Sequence, residues 1–182
     1  MKNPFSPPPP TLSFSNTTAQ SIHLQAKSIQ SIFLQSIDAI KRGSIPENAK
    51  RSPLGAFQFL SMALGHASAA SAAITLPSMV HADASIRKAS NHWKNEFKGM
   101  FDEALSDREL YDILVKWQTV DNKNVRGADD EDEDIRFQRN ILKILHRNGC
   151  SLESTFSRTV IQQKRRKIEE TCTAFCSAIN EQ

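Results

Sequence analysis

Apolar residues recur every three or four positions along almost the whole chain from Asn16 onward, and this helical period limits the fold more than any other feature. The first such stripe consists of Ile22, Ala26, Ile29, Phe33, Ile37 and Ile40. Comparable stripes occupy residues 54–64, 86–104, 137–145 and 161–179. No segment alternates apolar and polar residues convincingly, as a half-buried strand does. The pattern predicts an all-α fold of five to six amphipathic helices.

Residues that favour helix ends lie between these stripes. Gly43 and Gly149 suit the left-handed conformation that often follows a helix. Asp83 suits an N-cap, and Ser52 followed by Pro53 suits the start of another helix. The stripes therefore have the expected boundaries.

Two boundaries have competing interpretations. In residues 74–80, Pro77 favours a connecting loop over a short strand. Ser106–Glu109 resembles a capping box that restarts a helix, while one helix continuous through Trp117 fits nearly as well.

Residues 1–15 differ in composition from the rest of the chain. Pro7–Pro10 are four consecutive prolines, which favour polyproline II and cannot enter a helix interior. We therefore predict a disordered, Pro-rich leader at residues 1–15 and a helical domain at residues 16–182.

The cysteines and the leader bear on location. Cys150, Cys172 and Cys176 cannot all pair, which favours a reducing compartment. The leader lacks the continuous apolar region of a secretory signal. No acidic residue precedes Asp38, as in organellar presequences, but Arg is absent there as well. We predict a cytoplasmic protein, with the mitochondrial intermembrane space as the alternative.

Charge and hydropathy give no sign of a nucleic-acid or membrane partner. The 23 Lys and Arg residues nearly balance the 20 Asp and Glu residues, leaving a net charge of +3. We find no apolar run approaching the ~20 residues that span a bilayer. We therefore predict neither partner.

Two charge clusters have simple interpretations as solvated surfaces. The six consecutive acids at residues 129–134 lack the spacing and glycine turn of a calcium loop, and they favour a helix N-terminus. The basic run at residues 164–167 is followed by two acids, so Arg165–Glu169 and Arg166–Glu170 are predicted i,i+4 pairs. Binding of nucleic acid by the basic run is the less favoured alternative.

No catalytic, cofactor-binding or metal-binding residue can be assigned from the sequence. The five histidines include no HExxH motif and no pair four residues apart on one helix. Cys172 and Cys176 have a spacing that allows a shared metal, but Phe175 and Ile179 beside them favour two buried packing residues. Phosphate-binding loops and nucleophile elbows are also missing.

Four segments nevertheless resemble, in order, the N-terminal part of the thimet oligopeptidase, neurolysin and saccharolysin family of zinc metallopeptidases. They are Leu76–Asp83 (LPSMVHAD) with Ile86–Ser90 (IRKAS), Arg108–Tyr111 (RELY), Arg136 with His146–Leu152 (HRNGCSL), and Lys164–Glu181. Residues 7–38 resemble the Pro-rich leader and first helix of the family. The similarity extends over nearly the whole chain, although residues 50–73 and 129–134 depart from the family pattern.

The resemblance implies a role for the chain in a larger enzyme. Family members are almost entirely helical, with two lobes around a channel that admits short peptides, and the N-terminal helices help to wall it. Their HExxH helix and later glutamate ligand follow far downstream of the matching region, so no catalytic residue is carried over. Zinc and a complementary C-terminal catalytic region are implied only for the full-length enzyme. Arg87, Ser90 and the Arg147–Gly149 turn are implied to be structural.

Two hypotheses from different classes follow. The chain is expected to be the N-terminal helical region of such a metalloendopeptidase, inactive by itself, with short peptides as substrates of the whole enzyme. The alternative is a stand-alone helical module that binds proteins or peptides without catalysis. In the first case, residues such as Ala69, Ala73, Trp93 and Trp117 should pack against helices that this chain lacks.

Overall fold

The structure, a computed structural model, describes residues 16–47, 54–121 and 133–180, and these ranges contain helices and no strand. Six long helices and one single-turn helix follow in order: α1 (Ala19–Lys41), α2 (Gly55–Thr75), α3 (Pro77–Val80), α4 (Ala84–Ala104), α5 (Arg108–Asp121), α6 (Glu133–Arg147) and α7 (Thr155–Asn180). The predicted all-α fold is therefore confirmed. The leader and the Ser52–Pro53 helix start lie outside the described residues.

Helices α1 to α6 form one packed body around the apolar stripes. α1 contacts α2, α4 and α5, while α2 also contacts α4, α5 and α6, and α3 lies against α4. The largest fully buried side chains are Phe33, Phe57, Ile40, Leu60, Leu110, Leu114 and Leu145. Five of the six predicted α1 stripe residues are buried, and Ile29 is half-buried. The three-to-four spacing in the sequence thus identified the inner face of α1.

The ends of α1 are fixed by local hydrogen bonds and by one ion pair. Thr18 and Ser21 form a reciprocal capping box, with each backbone N–H donating to the side-chain oxygen of the other residue. Gly43 has φ of +65°, as predicted for the residue after this helix. Lys41 at the last turn forms an ion pair with Asp107, which ties the end of α1 to the start of α5.

The connection between α2 and α4 differs from the sequence prediction. We expected a loop at residues 74–80, but α2 continues to Thr75 and Pro77–Val80 form a helical turn. The turn is possible because Pro77 occupies the first helical position, where a missing N–H costs no hydrogen bond. Asp83 then caps α4 as predicted, its Oδ1 accepting a 2.7 Å hydrogen bond from the Ser85 N–H.

The break between α4 and α5 settles the second open boundary. α4 ends at Ala104 and α5 begins at Arg108, so the helix restarts rather than continuing through Trp117. Oδ1 of Asp107 accepts from the Leu110 N–H at 3.0 Å. The cap is therefore Asp107, one residue later than the capping box in the sequence suggested.

Helix α7 does not share the burial of the other long helices. Its described side chains from Gln162 to Phe175 are all exposed. Ile168 and Phe175 are 64% and 66% exposed, and Cys172 is exposed too, so the prediction that Cys172 is a buried packing residue is wrong. Spacing placed these residues on one face, but no described part of the chain covers that face. The side chain of Cys176 lies outside the described residues.

The four residues expected to pack against helices that this chain lacks differ in their burial, and the expectation is wrong for one of them. Ala69 and Ala73 on α2 are exposed and Trp117 on α5 is half-buried. Trp93 on α4 is instead 4% exposed, because it packs inside the body with its ring against Phe97 at a centroid distance of 5.7 Å. Trp93 therefore belongs to the core of this chain.

Candidate functional site

Ser90 and Arg87, both in the segment IRKAS, join α4 to the end of α2 and to the turn before α4. Ser90 is fully buried, and its hydroxyl donates to the Ile74 carbonyl at 2.6 Å and accepts from the Ser78 N–H at 3.0 Å. Nη1 of Arg87 donates to the carbonyls of His81 (2.8 Å) and Ala82 (2.6 Å). These side chains satisfy backbone groups that the helix ends leave open.

Arg108 and Asn148 form a second joint, between the α4–α5 break and the turn after α6. Nη1 of Arg108 donates to the carbonyls of Cys150 (2.7 Å) and Leu152 (3.2 Å). Its Nε donates to Asp112, and this hydrogen bond is the main cause that raises the pKa of Arg108. Asn148, which is buried, donates from Nδ2 to the Leu105 carbonyl at 2.7 Å. The turn after α6 is therefore bonded to the α4–α5 break both through its carbonyls and through the Asn148 side chain.

Gly149 completes the second joint through its backbone. Its φ is +85°, a conformation that glycine adopts without the Cβ clash that other residues suffer. A Cβ at this position would lie 3.5 Å from Cδ1 of Ile161 on α7. The turn therefore ends α6 and lies beside Ile161 of α7.

The histidines are dispersed over the described residues. The His23 and His92 rings lie 5.3 and 5.6 Å from the Trp93 ring. Nδ1 of His81 accepts from the Asp83 N–H at 3.0 Å, and His66 lines a groove between α1 and α2. Within the ranges that the structure describes, no three His, Cys, Asp or Glu residues are close enough to hold a metal ion.

An apolar groove lies between α1 and α2 and has a volume of about 240 Å³. Ile32 on one rim and Met62 on the other are each about 60% exposed. The groove is lined by Ile29, Ile32, Phe33, Ser36, Phe59, Met62, Ala63, His66, Ala67 and Ala70. The sequence analysis missed this groove, because Ile32 and Met62 fall outside the stripes that mark the core. The sequence did contain one signal of the groove, namely that Ile32 and Met62 are large apolar residues directly beside those stripes.

The helical stretch Gly55–Val80 corrects our expectation about apolar runs. No Asp, Glu, Lys or Arg lies between Arg51 and Asp83. The stretch is long and apolar enough to cross a membrane by length and composition, with a mean hydropathy of 1.4 in its most apolar window. One such helix is weak evidence for a membrane span, since core helices of soluble proteins pass the same test. Only 22% of the window is buried here, however, so much of an uncharged helix faces outward.

The two charge clusters are only partly described. The predicted pair between Arg166 and Glu170 is confirmed, with Nε and Oε1 2.9 Å apart on the exposed surface of α7. The side chains of Arg165 and Glu169 lie outside the described residues, as do residues 129–132 of the acidic run. Glu133 is the first residue of α6, where acids were predicted to precede a helix.

Comparison with known proteins gives no family assignment. No model of a protein family matches the sequence, and no curated protein matches it.

Proposed function

We propose that the chain is the N-terminal helical region of a thimet-type zinc oligopeptidase, in which it forms part of the wall of a channel for short peptides. The observation that carries the proposal is the position of the residues on which the resemblance rests. Ser90, Arg87, Arg108 and Asn148 all bond to backbone carbonyls at helix ends. A chain that shares the fold of these peptidases would need residues that fix the relative positions of its helices.

The chemistry of this proposal is divided between two regions. Zinc in the full-length enzyme would activate a water for attack on a peptide bond. The described residues of this chain do not form a site that fits zinc, so we derive no catalytic step from them. The role of this chain would be to hold helices in place beside the peptide. The complementary C-terminal catalytic region would supply the metal ligands. Such an enzyme would work in the cytoplasm or the mitochondrial intermembrane space.

The first test is the reading frame downstream of the codon for Gln182. We expect it to continue into a region that encodes HExxH. A frame that continues for several hundred codons without that motif would contradict the proposal.

The second test uses a quenched fluorogenic peptide and zinc. We expect no turnover with the purified chain, and turnover when the C-terminal catalytic region is added. Asn148→Ala should weaken this rescue because it opens the second joint, while Lys143→Ala, at an exposed position on α6, should not. Metal-dependent turnover by the chain alone would show that it contains a site of its own.

A stand-alone interaction module is the second candidate, and the α1/α2 groove is the observation that favours it. The groove offers apolar contacts at half-exposed positions without any catalytic group being required. This candidate predicts that the chain binds a partner with no catalytic region present, and that substitutions in the groove weaken the binding.

A further inference from the structure

Two serines of this chain follow a pair of cations in the same pattern. Lys41–Ser44 (KRGS) spans the end of α1, and Arg87–Ser90 (RKAS) lies in α4. In both, Lys or Arg stands three and two residues before the serine, and no other serine or threonine of the sequence has this arrangement. Protein kinases select serines by charge patterns of this kind, because acidic groups beside the active site bind the cations. The sequence alone therefore offers two equivalent candidates for phosphorylation.

Ser90 is closed to a kinase in the folded chain. Its side chain is fully buried, and its hydroxyl is bonded to the Ile74 carbonyl and to the Ser78 N–H. Ile86 and Trp93, four residues before it and three after it on α4, belong to the core. Phosphoryl transfer needs the hydroxyl in line with the γ-phosphate of ATP. The Ser90 hydroxyl can reach that position only if α4 leaves the body.

Ser44 has the opposite surroundings. It is exposed, and it lies after the last residue of α1, next to Gly43 with its φ of +65°. The Gly43 N–H donates to the Ile40 carbonyl at 3.1 Å and the Ser44 N–H to the Ala39 carbonyl at 2.9 Å, which is the Schellman pattern that ends a helix. The Ser44 hydroxyl is 3.4 Å from the same Ala39 carbonyl, which is long for a hydroxyl donor. A turn thus presents this hydroxyl at the surface.

The residues on either side of Ser44 determine how far the turn must open for a kinase. Arg42 has a 76% exposed side chain, whereas Lys41 is 20% exposed and pairs with Asp107 of α5. Ile45, directly after Ser44, is buried. A kinase therefore has to lift Lys41 and Ile45 from the body, which opens one turn of chain. Local openings at the end of a helix cost far less than the release of a core helix.

We infer that Ser44 is a phosphorylation site for a protein kinase that selects cations three and two residues before serine, and that the fold protects the same pattern at Ser90. MgATP is the phosphoryl donor. Oγ of Ser44 forms a bond to the γ-phosphorus, the bond from that phosphorus to the β–γ bridging oxygen breaks, and ADP leaves with the electron pair. The hydroxyl proton passes to the catalytic aspartate of the kinase. The inference does not rest on the proposed peptidase, whose tests measure peptide turnover.

The first test uses the purified, folded 182-residue chain with MgATP and the catalytic subunit of cyclic-AMP-dependent protein kinase, which has this preference. Peptide mapping by mass spectrometry gives the rate of phosphorylation at each serine. We expect phosphate at Ser44 and a rate at Ser90 that is lower by about tenfold or more. Ser44→Ala should remove most of the phosphate from the chain. Ser28→Ala, at an exposed serine of α1, is the matched control and should leave the incorporation unchanged.

The second test leaves both serines in place. Arg42→Ala removes the cation two residues before Ser44, and it should lower kcat/KM of the kinase at Ser44 by about tenfold or more. Lys88→Ala is the matched control, because Lys88 is exposed and has the same position relative to Ser90. It should leave the rate at Ser44 unchanged. Circular dichroism of both variants verifies that they are folded.

The third test separates the charge pattern from its accessibility. Phe57 is 1% exposed in the body, so Phe57→Ala leaves a cavity and raises the population of opened chains. The rate at Ser90 should then rise by about tenfold or more, because the opened copies present the RKAS segment to the kinase. The rate at Ser44 should change much less, since its turn is already at the surface.

Four results would overturn the inference. The first is a folded chain that takes up no phosphate at Ser44. The second is an unmodified chain in which Ser90 is phosphorylated as fast as Ser44. The third is a rate at Ser44 that Arg42→Ala leaves unchanged, because the cations would then not be recognised. The fourth is a rate at Ser90 that Phe57→Ala leaves unchanged, because burial would then not be the cause of its protection.

Discussion

Helices α1 to α6 and helix α7 have similar apolar periodicity but opposite burial. In the body, side chains such as Phe33 and Phe57 are 1% exposed, and buried Ser90 and Asn148 both bond to backbone carbonyls. On α7 the same spacing leaves Ile168 and Phe175 about two-thirds exposed. The difference shows that spacing determines which face of a helix is apolar, while burial depends on whether another element covers that face.

The largest contrast is expected between two phenylalanines. Phe57→Ala should lower the free energy of unfolding by about 3–5 kcal/mol, because it leaves a cavity in the body. Phe175→Ala should change it by less than about 0.5 kcal/mol, since the ring already faces solvent. Urea denaturation at a concentration where the chain is monomeric gives both values. Equal losses would mean that α7 is packed against the body in solution.

The second contrast concerns the joint at Asn148. Asn148→Ala should cost about 1–3 kcal/mol, since the Leu105 carbonyl loses its side-chain donor. Lys143→Ala, at an exposed position on α6, should stay within about 0.5 kcal/mol of the unmodified chain. The midpoints of urea unfolding are the measurement. If both substitutions have the same small effect, the joint adds nothing to the stability of the body.

Substitution by alanine should change the stability of the chain in opposite directions at two glycines. Gly149→Ala should cost about 1–2 kcal/mol, because φ of +85° brings Cβ too close to the backbone. Gly99→Ala, inside α4 with open space at the Cβ position, should stabilise the chain by about 0.5–1 kcal/mol. Thermal unfolding of the two variants reports the signs. A stabilising Gly149→Ala would mean that the turn after α6 has another conformation.

The smallest effect is expected at the cap of α4. A hydrogen bond from the Ser85 side chain, followed by one from the Ser85 N–H, lowers the pKa of Asp83 below its usual 3.8. The resulting stabilisation is therefore complete above that pH and is lost as the pH falls through the lowered pKa. Asp83→Asn should reduce the melting temperature slightly at pH 7, and this difference should shrink steadily as the pH is lowered through the acid range. A difference that does not change with pH would contradict the role of the carboxylate.

Local sequence signals predicted the helix ends that depend on one residue. Gly43 and Asp83 were correctly placed because their conformational preferences do not depend on distant packing. Pro77 was misread as part of a loop, since proline also fits the first turn of a helix. The cap at Asp107 was missed by one residue because Ser106 fits the same pattern.

Features that depend on tertiary packing were harder to predict. Cys172 has the spacing of a core residue and is exposed, whereas Trp93 was assigned to a missing interface and is buried. The α1/α2 groove could not be found from one helix at a time, because it depends on how two consecutive helices pack against each other. The structure gives bonding partners to Arg87, Ser90, Arg108 and Asn148, four of the polar residues in the segments singled out from the sequence.

The hydrogen bonds that Arg108 donates to the turn after α6 have a consequence for the position of α7. The carbonyls of Cys150 and Leu152 that it holds lie immediately before a helix of 26 residues, which is about 39 Å long. A rotation of only 5° at this pivot would move the far end of α7 by about 3 Å, more than half the rise of one helical turn. A small change in the hydrogen bonds of the Arg108 guanidinium group would therefore displace the C-terminal end of α7 by a distance of this order.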